Sequence, residues 1–123
     1  MKLVKSTINS KELSKIVTLG MQEKKAQDIV ILDLKNIGSA VADYFVICSG
    51  NTVNQVDAIT DSVEDFIYKH CQELPWRKEG KQHKEWILLD YVNVVVHIFR
   101  KDRREFYALE DLWGDAPIQR IEE

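Results

Sequence analysis

Tyr44-Phe45-Val46-Ile47-Cys48 is an unbroken apolar run with no polar residue to turn toward water, and it is too short for a helix. Such a run suits a β-strand covered on both faces. Ser49-Gly50 close it, and Thr52 with Gln55 three residues later makes a capping-box pair. Val53, Val56, Ile59, Val63, Phe66 and Ile67 then recur at helical spacing to about Cys71, which makes this the longest helix. A doubly covered strand feeding a long amphipathic helix requires a layered α/β arrangement.

The flanking sequence supplies the other layers. A first helix is expected to begin near Asn9, with Glu12 reaching back, and to stop near Lys24, placing Leu13, Ile16, Val17 and Gly20 on one face. Ile29-Val30-Ile31-Leu32 is a second short apolar run that reads as another buried strand. Beyond Pro75, Trp76 to Glu85 is charged and contains glycine, which suits a weak strand with a loop. Trp86–Asp90 and Val94–Phe99 read as a hairpin whose turn is relieved by Asn93 in a left-handed conformation. Asp102 and Glu105 mark the cap and third position of a last helix, with Phe106, Leu109 and Trp113 inward. The expected fold is one domain over residues 1–123: a mixed sheet with helices packed on its faces. In it, the strand before the long helix is rejoined in parallel by the strand after it.

Composition narrows the function. A chain of 123 residues with 45% apolar and 30% charged side chains has the balance of a soluble globular protein. No apolar run approaches the ~20 residues of a membrane span, and no signal peptide is visible, so a cytoplasmic protein is expected. A net charge of -3 argues against wrapping nucleic acid in positive charge and permits a basic protein as partner. Local RNA contact is left to two basic clusters, Arg77, Lys78, Lys81 and Lys84, and Arg100, Lys101, Arg103 and Arg104.

Catalytic constellations are incomplete. Ser49-Gly50 lacks the sequence of a hydrolase elbow, and Cys48 and Cys71 read as reduced, packed thiols. His70, His83 and His97 lack the close pairing of zinc ligands, and His97, between Val95 and Phe99, reads as a core or interface histidine. An enzyme of nucleotidyltransferase type would use Ser49, Gly50 and Asp90, but no acidic partner alternates with Asp90 to hold magnesium. Asp90 is instead expected to stabilise the hairpin. No catalytic group, cofactor or metal site is therefore expected. Aromatic side chains remain: Trp113 is expected in the core, and Trp86, beginning a strand beside a polar loop, at an interface.

Five ordered blocks carry a resemblance: Ala42-Asp43-Tyr44-Phe45-Val46-Ile47 into Ser49-Gly50-Asn51; Glu79-Gly80; Trp86-Ile87-Leu88-Leu89-Asp90-Tyr91; Val96-His97-Ile98-Phe99; and Arg104-Glu105-Phe106-Tyr107 with Leu109-Glu110 and Leu112-Trp113. The chain resembles the ribosomal silencing factor family, also called Iojap-related. The resemblance implies a nucleotidyltransferase-like topology without catalytic residues. It also implies a translational repressor that docks on the large ribosomal subunit through ribosomal protein number fourteen and blocks joining of the small subunit. Organellar relatives are linked to ribosome assembly, and the absence of a targeting extension here favours a bacterial source. By the same resemblance the partner-facing surface maps onto Trp86, Leu88, Tyr91 and Phe99; because such a surface would otherwise leave a large apolar patch exposed, a homodimer through it is expected in the free protein. The chain departs from the family pattern at Val92-Asn93, where glycine and aspartate are usual, and at Asn54, where arginine often precedes Gln55.

Overall fold

The computed structural model describes residues 8–122, with residues 106 and 107 described by their backbone alone. Helix α1 (Ser10–Glu23) starts where Asn9 accepts a hydrogen bond from the Glu12 backbone N–H at 2.8 Å, satisfying one of the free donors of the first turn. Strands β1 (Gln27–Asp33) and β2 (Tyr44–Gly50) are the two apolar runs, and every residue of β2 is buried. Helix α2 (Val53–Cys71) is capped by Thr52, which accepts from the Gln55 N–H at 3.1 Å. The reciprocal half of the box lands one residue early: Gln55 Oε1 accepts from the Asn51 N–H, and its Nε2 donates to the carbonyls of Lys24 and Lys25 at the end of α1. One side chain thus ties both helix termini together.

Strands β3 (Arg77–Glu79), β4 (Trp86–Asp90) and β5 (Val94–Arg100) follow, then the short helices α3 (Lys101–Tyr107) and α4 (Leu109–Leu112) and strand β6 (Ile118–Arg120). The sheet order is β3-β4-β5-β2-β1-β6. Only β2 and β5 are parallel. The strand that rejoins β2 is therefore the second strand of the hairpin, not the first strand after α2.

Both long helices lie on one face of the sheet. Leu13, Val17 and Met21 of α1 and Val56, Ile59, Val63 and Ile67 of α2 pack with Ile29, Ile31, Val46, Ile87, Leu89, Val96 and Ile98 in one cluster. Each such aliphatic side chain stabilises by roughly 1.5–3 kcal/mol when fully buried. The helices cross closely because Gly20 has no side chain: a Cβ there would sit 2.9 Å from Val63 Cα. Ser62 Oγ donates to the Gly20 carbonyl at 2.7 Å at the same crossing.

The opposite face is covered by irregular pieces. Leu34, Ile37, Ala40 and Ala42 of the β1–β2 connection, with Leu109, Trp113 and Ala116, pack over Val30, Leu32, Phe45 and Ile47. Four expectations change here. The last helix is broken at Ala108, which adopts a left-handed conformation (φ 47°) between α3 and α4. Asp102 does not cap it: Arg100 holds that position without a side-chain hydrogen bond, and Asp102 pairs with Arg100 at 2.6 Å from the first turn. Trp113 follows α4 and is half-buried on the outer face, where it meets the Phe45 ring edge-on at 5.9 Å. The Phe106 side chain lies outside the described residues. Strand β6, unforeseen, is exposed at all three residues and held by pairing to β1, a bond pattern that leaves no mark on side-chain type.

The hairpin turn also differs. Val92, not Asn93, takes the positive φ, at 76°, while the Asn93 N–H donates to the Tyr91 carbonyl at 3.0 Å across a three-residue turn. That conformation is strained for a β-branched residue. Asp90 offsets part of the strain, since its Oδ1 accepts from the Val92 N–H at 2.8 Å, the stabilising role expected for it. Val92→Gly should therefore raise stability by about 1 kcal/mol, the relief of backbone strain exceeding the added chain entropy of glycine. Thermal unfolding checks this, with a midpoint about 4 °C higher expected; an unchanged or lower midpoint contradicts the strain.

Candidate partner-binding surface

The side chains of β4 alternate, and the alternation divides the expected surface residues. Ile87 and Leu89 point to the helices, while Trp86, Leu88 and Asp90 point to the outer face. Trp86 and Leu88 pack against the outer-face cluster and are only partly buried by it. They lie over Val95, His97 and Phe99 of β5. Phe99 is fully buried and supports the surface from beneath: the Trp86 ring stacks on it with centroids 5.2 Å apart and planes at 24°. Tyr91 belongs to the other side. It is 6% exposed in the helix-covered cluster, burial pushes its hydroxyl pKa up, and that hydroxyl has no hydrogen-bond partner among the described residues. Of the four residues, Trp86 and Leu88 share a surface, Phe99 backs it, and Tyr91 faces away.

Beside Trp86 the loop between β3 and β4 is held in place from two directions. Gly80 adopts φ 88° and passes so near the Trp86 carbonyl that no side chain fits. Lys84 reaches Asp57 of α2 at 2.6 Å, and Lys78 reaches Glu64 at 3.1 Å. Two acidic side chains of α2 are thus engaged by this hairpin.

Residues 7–123 match the family model described as ribosomal silencing factor during starvation. The chain belongs to the ribosomal silencing factor family. It is 43% identical over 111 residues to the ribosomal silencing factor RsfS of Bacillus subtilis (strain 168), covering 90% of this chain and 92% of that one. A crystal structure of a Chromobacterium violaceum protein superposes with a TM-score of 0.80 at 29% identity, covering 87% of this chain and 88% of that one. The mouse mitochondrial assembly of ribosomal large subunit protein 1 is 31% identical over 105 residues, 83% of this chain and 45% of its own length.

In this silencing factor the residues singled out for other chemistry are engaged elsewhere. Cys48 is fully buried and burial drives its thiol pKa upward, which removes it as a nucleophile. Ser49 is 1% exposed and accepts from Arg104 Nη1 at 3.0 Å. A crevice of about 960 Å³ does open at the ends of β2 and β5, between Asn51, Lys101, Arg104 and Arg120, but acidic side chains outnumber basic ones around it. Asp90, the carboxylate of the enzymatic alternative, is not among its lining residues. Among the described residues, no group of three or more His, Cys, Asp or Glu is placed to hold a metal and no helix is long and apolar enough to cross a membrane.

The basic clusters are similarly occupied. Arg77 pairs with Glu79 and Asp90, Lys81 and Lys84 with Asp57, Arg103 with Glu85, and Arg104 with Glu110. Charges already neutralised within the chain attract phosphate weakly.

His97 is the outer-face residue whose importance the pattern of residues concealed. It is 3% exposed, and its Nδ1 accepts the indole N–H of Trp86 at 2.9 Å. Because an indole can only donate, Nδ1 carries no proton, and the neutral ring keeps its proton on Nε2. Burial pushes the pKa down to about 3. In the unfolded chain the group titrates near 6.5, so as pH falls from there to about 3 the unfolded state takes up a proton that the folded state refuses. This contribution to stability is intact above pH 6.5 and is lost across that window, by up to about 1.4 kcal/mol per pH unit. Denaturant unfolding from pH 7 to pH 4 should show His97→Asn losing less stability than the native chain; equal losses would contradict a neutral buried histidine.

Proposed function

We propose that the chain docks on the large ribosomal subunit through ribosomal protein number fourteen, and that it blocks joining of the small subunit by occupying the space between them. Translation is repressed without chemistry, in the cytoplasm. The carrying observation is the half-buried pair Trp86 and Leu88 on the outer side of β4, which keep apolar area at the surface on a strand backed by Phe99. Family membership supports the ribosomal partner, and the acidic chain suits a basic ribosomal protein. Tyr91 contributes through the hairpin that carries it, from the far face. Contact with ribosomal RNA is at most local, through Lys101, whose charge has no ion pair among the described residues.

A second reading is assembly of the large subunit, favoured by the printed name of the mouse mitochondrial relative. Cofractionation with immature rather than mature large subunits separates the two. The free protein is expected to pair with a second copy through the Trp86 strip, in competition with the ribosome. Light scattering that finds a monomer at high micromolar concentration removes that part.

Adding the protein to separated subunits should lower the yield of joined ribosomes, while preformed ones resist because the docking surface is already covered. Trp86→Ala should weaken large-subunit binding by at least ~2 kcal/mol, about 30-fold, as loss of a central aromatic anchor does. Sucrose gradients read both outcomes. Unchanged joining with the large subunit saturated by protein sinks the steric account.

A further inference from the structure

Trp86 and His97 are diagonal neighbours on the outer face, since Trp86 pairs with Phe99 and Leu88 with His97 across β4 and β5. Three contacts among those the indole makes hold it against β5. Its ring lies on Phe99, it tilts at 36° to the His97 ring with centroids 5.8 Å apart, and its N–H is taken by His97 Nδ1 at 2.9 Å. His97 is itself immobilised, 97% of it covered between Phe45, whose ring meets it at 4.5 Å and 61°, and Phe99, stacked at 13°.

The arrangement carries an energetic penalty. With Nδ1 committed as acceptor, Nε2 bears the proton and has no hydrogen-bond partner among the described residues. An unsatisfied buried donor destabilises a fold, and an apolar side chain here would avoid it. An apolar side chain would also take the His97 acceptor from the indole N–H and remove one restraint on the orientation of the ring.

We infer that His97 is a positioning residue for partner docking, which holds the Trp86 indole in one orientation on the sheet so that its edge is presented ready-made to the ribosomal protein. The inference rests on the docking role proposed above. Pre-set orientation raises affinity by removing the entropy an anchor otherwise loses on binding. His97 needs no contact with the partner, and its effect passes wholly through Trp86.

The test combines binding with a direct reading of the hydrogen bond. His97→Phe removes the acceptor and keeps an aromatic ring; His97→Asn keeps an oxygen near the place of Nδ1; Trp86→Phe removes the indole N–H. Binding to purified large subunits is measured for each folded variant, and the exchange of the Trp86 indole N–H with solvent is followed by NMR. His97→Phe is expected to weaken binding about tenfold, the scale of one hydrogen bond, and to speed indole exchange. His97→Asn should restore most of both, and in a Trp86→Phe background His97→Phe should weaken binding no further. The positioning role is overturned if His97→Phe binds like the native chain while Trp86→Ala does not. It is equally overturned if His97→Phe weakens binding as much without the indole N–H as with it. If Trp86→Ala binds normally, the docking reading itself fails and this inference with it, even where slow indole exchange shows the bond to be present.

Discussion

The parallel pairing of β2 with β5 joins residues 44–50 to 94–100 without a shift of register, from Tyr44 against Val94 to Gly50 against Arg100. A parallel pair needs a crossover, and here α2, the loop and the β3–β4 hairpin supply it. Everything outside that pair takes its position from it. Val46 and Cys48 with Val96 and Ile98 form the floor on which α1 and α2 lie, and the intervening residues Phe45, Ile47, Val95, His97 and Phe99 form the outer face. A slip of one residue would exchange these sets and place His97 under the helices, where nothing could accept from Trp86 in the same way.

The two faces are finished unequally, and the proposed docking rests on the difference. Two long helices cover the central strands of the inner face and lock to each other where Gly20 meets Val63. The outer face receives short pieces of chain over β1 and β2, and Trp86 and Leu88 of β4 are left half-buried there. Large side chains on β4 therefore stand on the sheet only partly buried. This arrangement gives aromatic anchors area without mobility, which is what interfaces use.

The sheet's central strands and the two long helices were legible because their cause is local in sequence. An apolar run such as 44–48, or a stripe such as Val56, Ile59, Val63 and Ile67, records its own burial. What stayed hidden depends on tertiary contacts. β6 is defined by backbone bonds to Val30, Ile31 and Leu32, and the break at Ala108 occurs at a residue with no preference for the left-handed region. Trp113 looked like core because helical spacing was carried past Leu112, where the helix ends. Tyr91 and Trp86 were grouped by the family resemblance, yet strand alternation and the turn put them on opposite faces. The partner of His97 could have been foreseen: two outward residues on paired strands, one a donor and one an acceptor, meet diagonally once the hairpin register is known.

Hydroxyl-radical footprinting of the protein, free and bound to purified large subunits, tests the docking surface most directly. Trp86 and Leu88 should lose reactivity on binding, while Tyr68, half-exposed on the outer side of α2, should keep its own. Unchanged oxidation of Trp86 with protection of Tyr68 would place the partner on the helical face and contradict the account.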